Sequence, residues 1–209
     1  MSNGIGELID AELNEETAAT EVADYLLHTE EDMMQHEYSW RIGEDDIDFD
    51  DEEVRADYEK FVHGRAQDRV EEAISELSWL SVEDGKIHIW RSITVKPDWV
   101  QRGITERPIG ICWSHVESAA EAHFGSFSEG NREVTLHALV AIGDVNWQAS
   151  VTLNAQCEEE REIRVREDAL VEVLSATWSS EERGGAFVKE EIGLVLPAGR
   201  TALAPPEFA

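Results

Sequence analysis

Two glutamates separated by one residue form the pair in this sequence best suited to act together on a substrate. Glu160 and Glu162 open the stretch Glu160-Arg161-Glu162-Ile163-Arg164-Val165, whose alternation is typical of a strand. Residues i and i+2 of a strand point to the same side, so both carboxylates should face one surface. Paired carboxylates can divide labour, one stabilising positive charge and the other handling a proton. Taken alone, the hexapeptide is better explained as a solvated strand edge in an acidic protein.

An arginine interrupts the apolar side of an earlier predicted strand. Residues Lys86–Val95 alternate, with isoleucines and a valine on one side and His88, Trp90, Ser92 and Thr94 on the other. Arg91 falls on the apolar side. Burying an unpaired charge costs several kcal/mol, so we expect Arg91 to have an anionic partner or to line a cleft.

A serine stands between a short predicted strand and a short predicted helix. The strand is Pro108–Ser114, and the helix Val116–Phe124 carries spaced alanines and ends at Gly125. Further strands are predicted at Val134–Ile142, Glu162–Val165, Ala169–Leu174 and Phe187–Leu196. Strands gathered after a helical N-terminal region indicate an α+β fold with a mixed or antiparallel sheet.

The first eighty residues are predicted to be helical and are strongly acidic. Helical composition without proline covers Gly6–Asn14 and Glu16–Tyr38, and apolar residues at helical spacing predict a helix from about Glu52 to about Leu80. The acidic run Glu44–Glu53 resembles a calcium loop only superficially, because Asp51 stands where that loop needs glycine. These acids are better used at a helix N-terminus, and we predict no metal site.

The net charge limits the partners of the protein. Of the formal charge of −29, residues 1–80 contribute −20, with 25 acidic residues against 5 basic ones. Phosphates would be repelled, so direct non-specific nucleic-acid binding is disfavoured. A basic protein partner, mimicry of a nucleic-acid surface or simple solvation all remain open, and simple solvation is favoured.

Two cysteines without metal spacing, and an acidic start unlike a signal peptide, predict a reduced, cytoplasmic setting. No apolar run reaches membrane-spanning length, so no membrane association is expected. Several familiar catalytic motifs are missing, among them GxGxxG, GxxxxGK[ST], HExxH and GxSxG. What remains is an ordered set: a mid-strand arginine, a serine between strand and helix, and a strand that carries two glutamates.

This order resembles the mono-ADP-ribosyltransferases of the Arg-Ser-Glu type, the cholera-toxin-like and clostridial-toxin-like group. The resemblance covers about residues 86–175. The aromatic-Arg pair of the family corresponds to Trp90-Arg91 and its Ser-Thr-Ser motif to the stretch ending Trp113-Ser114. Its Glu-x-Glu motif corresponds to Glu160-Arg161-Glu162. The resemblance implies an ADP-ribosyltransferase-type core, NAD as co-substrate and a toxin-like enzyme of phage or bacterial origin.

The resemblance also implies a role for each candidate residue. Glu162 would stabilise the ribose cation as the nicotinamide leaves, and Glu160 would contact the acceptor, an arginine side chain being favoured. Arg91 would clamp a phosphate or ribose of the dinucleotide, and Ser114 would orient Glu162. Trp90 and Trp113 could stack on adenine or nicotinamide, although core packing is the favoured explanation for both tryptophans. A structural salt bridge is as good an explanation for Arg91.

The expected organisation has three parts and two rival functions. Residues 1–80 form an acidic helical region for docking or regulation, packed on an ADP-ribosyltransferase-like domain at 81–197, with an irregular tail at 198–209. The favoured function is NAD-dependent modification of a protein acceptor, a basic one being compatible with the charge. The alternative is a non-enzymatic acidic inhibitor or binding protein that occupies a basic or nucleic-acid-binding surface of a partner. A third hypothesis, a degenerate fold, predicts no NAD binding.

Overall fold

A computed structural model describes residues 4–44, 47–95, 110–124, 132–181, 187–191 and 202–203. The fold is α+β, with helices and an antiparallel sheet, as the sequence predicts. The chain divides into two compact units, one of Ser2–Trp79 and Val151–Glu158, the other of Leu80–Ser150 and Glu159–Ala209. The segment Val151–Glu158, expected from the sequence in the second domain, instead groups with the N-terminal helices.

Before residue 80, the described part of the helical unit contains four helices: α1 (Ile5–Glu12), α2 (Glu15–Thr29), α3 (Glu31–Ile42) and α4 (Glu52–Ser78). Two of them begin at a side-chain cap that accepts backbone N–H groups. The Asn14 amide accepts from Thr17 N at 3.0 Å, and the Asp51 carboxylate accepts from Glu53 N and Val54 N. The acidic run therefore supplies a helix cap. The single helix predicted over Glu16–Tyr38 is instead divided at Glu30.

The long helix α4 buries one face within the helical unit. Its buried positions recur at helical spacing and are Tyr58, Phe61, Val62, Ala66, Val70, Ala73 and Leu77. A groove of about 680 Å³ also lies between α2 and α4. Glutamates from both helices line it, with Ala19 and Val70 among the apolar residues.

The second unit contains an antiparallel sheet whose central strands are long. In chain order the strands are β1 (Lys86–Val95), β2 (Cys112–Ser114), β3 (Arg132–Ala141), β4 (Glu162–Arg164), β5 (Leu170–Glu181), β6 (Phe187–Glu191) and β7 (Ala202–Leu203). Their order across the sheet is β4-β2-β1-β3-β5-β6, and β7 also pairs with β5. The three strands carrying the Arg, Ser and Glu motifs are thus direct neighbours.

One face of this sheet carries apolar side chains. Strand alternation sends every second residue to it, and the buried members include Ile87, Ile89, Val134, Leu136, Ala138, Val140, Trp113 and Ile163. The register places them in rows, as for Ile87 opposite Val140 and Trp113 opposite Ile163. These rows hold β1, β2 and β4 in the relative positions on which the candidate site depends.

Between the strands, the described residues form two further α-helices: α5 (Glu117–Phe124) and α6 (Trp147–Gln156). The helix α6 was not predicted from the sequence. Asn146 precedes it and accepts a hydrogen bond from Ala149 N at 3.0 Å, the geometry of a helix cap. This segment also covers the outer edge of β4, because Asn146 N donates to Arg164 O and Ser150 Oγ accepts from Arg164 N.

Several predicted features lie wholly or partly outside the described residues. They are residues 108 and 109 of the strand before Ser114, the helix stop at Gly125, the strand residues 192–196 and most of the tail. Within the tail, the described residues Ala202 and Leu203 form β7, so this part is not irregular.

Candidate active site

Three of the predicted site residues lie in one row across three strands. Trp90 on β1 is opposite Ser114 on β2, and Ser114 is opposite Glu162 on β4. Residues directly opposite in an antiparallel pair project to the same face, about 4.5–5.5 Å apart. Residues separated by 24 and 48 positions in the sequence are therefore brought to one place by the strand order.

Glu162 is buried and contacts two donors. Only 5% of the residue is exposed. Burial raises the pKa of its carboxyl group, while a hydrogen bond from the Cys112 thiol and the charge of Arg164 act in the opposite direction. The Arg164 Nη1 atom lies 3.4 Å from the Glu162 Oε1 atom. These two neighbours favour the ionised carboxylate in a place where burial alone would favour the neutral acid.

Glu160 approaches Glu162 from a turn rather than from the strand. It ends a short 3-10 turn, Glu158–Glu160, and β4 begins only at Glu162. Between them Arg161 has a φ of 50°, in the left-handed region. The expected strand alternation therefore does not relate the two carboxylates. The charge of Glu160 nonetheless raises the pKa of Glu162, so the two acids do lie near one another.

Arg91 reaches from β1 to the start of β2. Alternation sends its side chain to the side of β1 opposite Trp90, and its Nη1 atom donates to the Cys112 carbonyl oxygen. Burial lowers the pKa of its guanidinium group, while hydrogen bonding with Cys112 and the charge of Glu162 raise it. The half-buried arginine thus has Glu162 as an anionic neighbour, as the sequence predicts, together with a backbone acceptor.

Gly110 leaves the space that the Arg91 guanidinium group occupies. Its φ is +97°, and a Cβ atom placed on it would lie 2.6 Å from the Arg91 Cζ atom. We predict that Gly110→Ala costs about 1–3 kcal/mol of unfolding free energy, because alanine strains this backbone and displaces the guanidinium group. Urea unfolding measures the change.

Gly143→Ala is the matched control, because a Cβ atom at Gly143 meets nothing within 4 Å. That variant should stay within about 0.5 kcal/mol of the parent protein. In an Arg91→Ala background the cost of Gly110→Ala should fall, since only the backbone strain remains. Equal stability of the two glycine variants would contradict the close approach of Arg91.

The Ser114 hydroxyl group holds the backbone that leads into Glu162. Its Oγ atom donates to the Arg161 carbonyl oxygen at 3.1 Å and accepts from Val116 N at 3.1 Å. Neither of these two hydrogen bonds involves the Glu162 carboxylate, which the sequence predicted as the partner of Ser114; the first one binds the peptide that precedes Glu162. Ser114 is fully buried, so it also ties β2 and the residue before α5 to the turn at Arg161.

Trp90 belongs to an aromatic stack that crosses two strands. Its ring is parallel to that of His137, with ring centroids 4.7 Å apart and an interplanar angle of 2°. His137 in turn is hydrogen-bonded to His88, with 2.8 Å between the Nε2 and Nδ1 atoms. The His88 ring also stacks with that of Trp90, with ring centroids 6.1 Å apart, and on the β2 side the small residue Ser114 occupies the position opposite Trp90.

Trp113 is a core residue of the sheet. Its side chain is fully buried, it lies opposite Ile163, and its indole N–H donates to the Gly110 carbonyl oxygen at 2.9 Å. This arrangement agrees with packing, the favoured explanation from the sequence, rather than with stacking on a dinucleotide. The indole hydrogen bond also fixes the turn at Gly110, beside the Arg91 guanidinium group.

Two direct partners of Glu162 were not predicted from the sequence. Cys112 and Arg164 are directly opposite one another and lie on the same face as Ser114 and Glu162. A signal was present, because each stands two residues from a candidate residue in a strand. The rule that residues i and i+2 of a strand share a face was used for Glu160 and Glu162. Used for Glu162 and the residue two positions later, it places Arg164 beside Glu162.

The chain matches no protein-family model, no curated protein and no solved structure. Among the residues described, no three or more His, Cys, Asp or Glu side chains are grouped so as to hold a metal ion. No helix in the described part of the chain has the length and apolar character needed to cross a membrane. The chemistry of the site therefore has to be argued from its own residues.

Proposed function

We propose that the protein is an NAD-dependent mono-ADP-ribosyltransferase that modifies a protein acceptor. The observation that carries the proposal is the register row of Trp90, Ser114 and Glu162, with Arg91 bound to the same short strand β2. The three motifs of the Arg-Ser-Glu resemblance are far apart in sequence. Their three strands are direct neighbours, and Arg91, which projects to the other face of β1, is joined to β2 through the Cys112 carbonyl oxygen.

The buried carboxylate suits the chemistry of nicotinamide release. When the bond between the ribose C1′ atom and the nicotinamide nitrogen breaks, the nitrogen keeps the electron pair and positive charge grows on the sugar. A carboxylate in a water-poor site stabilises that charge more strongly than it would in water. Glu162 is such a group, and its raised pKa reflects the same burial.

The acceptor would enter beside Glu160. A guanidine nitrogen of an arginine would form the new bond to C1′ and lose a proton, which a neighbouring carboxylate can take. Glu160 is part-exposed and within electrostatic reach of Glu162. An acidic group at this position also attracts a cationic acceptor, in agreement with an arginine side chain.

Because Glu162 is buried, NAD can reach its carboxylate only if a neighbouring side chain moves. The Arg164 guanidinium group occupies part of the space around the carboxylate, and its own side chain is 22% exposed. Binding of NAD would have to move Arg164 aside and let the cationic pyridinium ribose take its place beside Glu162. The indole ring of Trp90, in the row with Ser114 and Glu162, is the planar group proposed to contact the leaving ring.

Labelled NAD tests the proposal directly. The full chain is incubated with NAD labelled in its adenylate part and with polyarginine or polylysine, and label bound to polymer is counted. We expect transfer to polyarginine, and a rise in melting temperature with NAD that Arg91→Ala diminishes. If the protein neither binds NAD nor transfers label, the proposed transferase activity is wrong. The hypothesis of a degenerate fold, which predicts no NAD binding, is then favoured.

The salt dependence of partner binding tests the rival function, that of an acidic binding protein. The groove between α2 and α4, lined by Glu15, Glu16 and Glu71 among others, favours a basic partner if the helical unit binds one. Capture of a basic polypeptide at low salt, with release at high salt and indifference to Arg91→Ala, would support that role instead. Label transfer that persists in a triple Gln variant of these glutamates would assign the activity to the sheet alone.

A further inference from the structure

Cys112 lies on the same face of the sheet as Ser114, Glu162 and Arg164. It is the first residue of β2, directly opposite Arg164 and two residues from Ser114, so its thiol shares their face of the sheet. The other cysteine, Cys157, belongs to the helical unit, and neither forms a disulfide. The chain therefore supplies its own control thiol in a different environment.

Cys112 lies among three of the charged groups of the candidate site. Its Sγ atom accepts from Arg164 Nη1, the same atom that lies 3.4 Å from Glu162 Oε1, so the thiol is beside the carboxylate. The Cys112 carbonyl oxygen accepts from Arg91 Nη1. A single residue thus connects the guanidinium group on β1 with the carboxylate on β4, a distance of two strands.

The thiol keeps its proton at neutral pH and so acts as a donor. Burial raises the pKa of Cys112 to about 11, and the charge of Glu162 contributes to the rise, while Arg164 and Arg91 oppose it. The effect is reciprocal, since the same hydrogen bond lowers the pKa of Glu162. Glu160 is the further charged neighbour that acts on this carboxylate.

We propose that Cys112 is a positioning residue for the candidate catalytic carboxylate: its S–H group donates to Glu162 and holds that carboxylate in the row with Ser114. The proposal rests on the proposed function for its consequence, but the hydrogen bond itself can be tested without any activity. Alanine at this position removes the donor, and serine keeps one.

The first experiment follows alkylation of Cys112 by N-ethylmaleimide in a Cys157→Ser background. Only the thiolate reacts, so the rate against pH reports the pKa of the thiol. We expect Glu162→Gln to move this pH profile to lower pH, because the carboxylate that stabilises the protonated thiol is gone. Well below the thiol pKa, the alkylation rate should rise about tenfold for every pH unit by which that pKa falls. The full chain is used throughout.

A second variant separates the charge of Glu162 from the exposure of the thiol, because exposure alone would also lower the pKa of Cys112. Glu162→Asp keeps the negative charge in a shorter side chain that leaves the site more open, so its profile should stay closer to that of the parent protein than the Glu162→Gln profile does. In a Cys112→Ser background, where Cys157 is the remaining thiol, Glu162→Gln should leave the profile unchanged. An unmoved midpoint for Cys112 would overturn the proposed hydrogen bond.

The second experiment measures NAD cleavage against pH for Cys112→Ala and Cys112→Ser. Loss of the donor raises the pKa of Glu162, so the acid limb of the Ala profile should move to higher pH. Serine should restore it, a rescue that lost packing alone does not predict. Wild-type protein without NAD cleavage would refute the proposed function and leave the alkylation result standing. Cleavage with coincident Ala and wild-type profiles would refute the positioning role alone.

Discussion

Glu162→Gln should reduce NAD cleavage by at least about a hundredfold, the scale on which removal of one electrostatic group acts at a transition state. The amide has the shape of the carboxylate but cannot balance the positive charge that develops on the ribose. The acid limb of the wild-type pH profile should also lie above the ordinary glutamate pKa of 4.5, because burial raises the pKa of Glu162. Nicotinamide release, measured over a pH series, tests both statements.

The fold should tolerate this change. The neutral amide no longer incurs the desolvation cost of a buried charge, and the part-exposed Arg164 side chain regains water as a partner. We expect the melting temperature to change by no more than about 3 °C. Glu167→Gln, at an exposed position of the same unit, is the matched control and should retain full activity. Undiminished cleavage by the Glu162→Gln protein would remove the basis for the assignment.

Trp113→Ala should cost about 3–5 kcal/mol of unfolding free energy, the range for deleting a large buried aromatic side chain. The indole ring fills the core between β1 and β4, and its N–H group is bonded to the Gly110 carbonyl oxygen. Its removal leaves a cavity and an acceptor without its donor. The unfolding free energy of Trp113→Phe should fall between those of the parent protein and Trp113→Ala, because phenylalanine keeps most of the side-chain volume but loses the hydrogen bond. Differential scanning calorimetry measures the loss.

Trp40→Ala is the reference for this series, since Trp40 is 82% exposed, and it should stay within about 0.5 kcal/mol of the parent protein. The comparison also decides between the two explanations of Trp113. A stacking residue would weaken NAD binding with little change in stability. If Trp113→Ala proved as stable as Trp40→Ala, the core assignment would be wrong.

Features set by local spacing could be predicted from the sequence. The apolar positions of α4 and the alternation of β1 are read from neighbouring residues, and both elements occur close to the expected bounds. The family resemblance predicted that Arg91, Ser114 and Glu162 converge on one cleft. The strand order, which no local pattern contains, instead makes Trp90 the residue in line with Ser114 and Glu162, while Arg91 projects to the other face of β1.

Features that depend on tertiary contacts could not be predicted in this way. The helix α6 lacks a clear apolar stripe, and its best signal was the Asn146 cap. The turn at Arg161 replaces the extended backbone expected between Glu160 and Glu162, although β4 begins at Glu162 as predicted, and Ser114 binds the Arg161 carbonyl oxygen from another strand. The partnership of Cys112 with Glu162 required the pairing of β2 with β4, which joins residues 50 positions apart.

The left-handed residue Arg161 divides the Glu-x-Glu motif into two halves that are held in different ways. Glu162 is fixed by the ladder of β4, whereas Glu160 lies in a turn before the strand begins. Turns tolerate substitution more readily than paired strands. Under the proposed function, the choice of acceptor is therefore open to redesign at residue 160, while Glu162 stays unchanged in its strand.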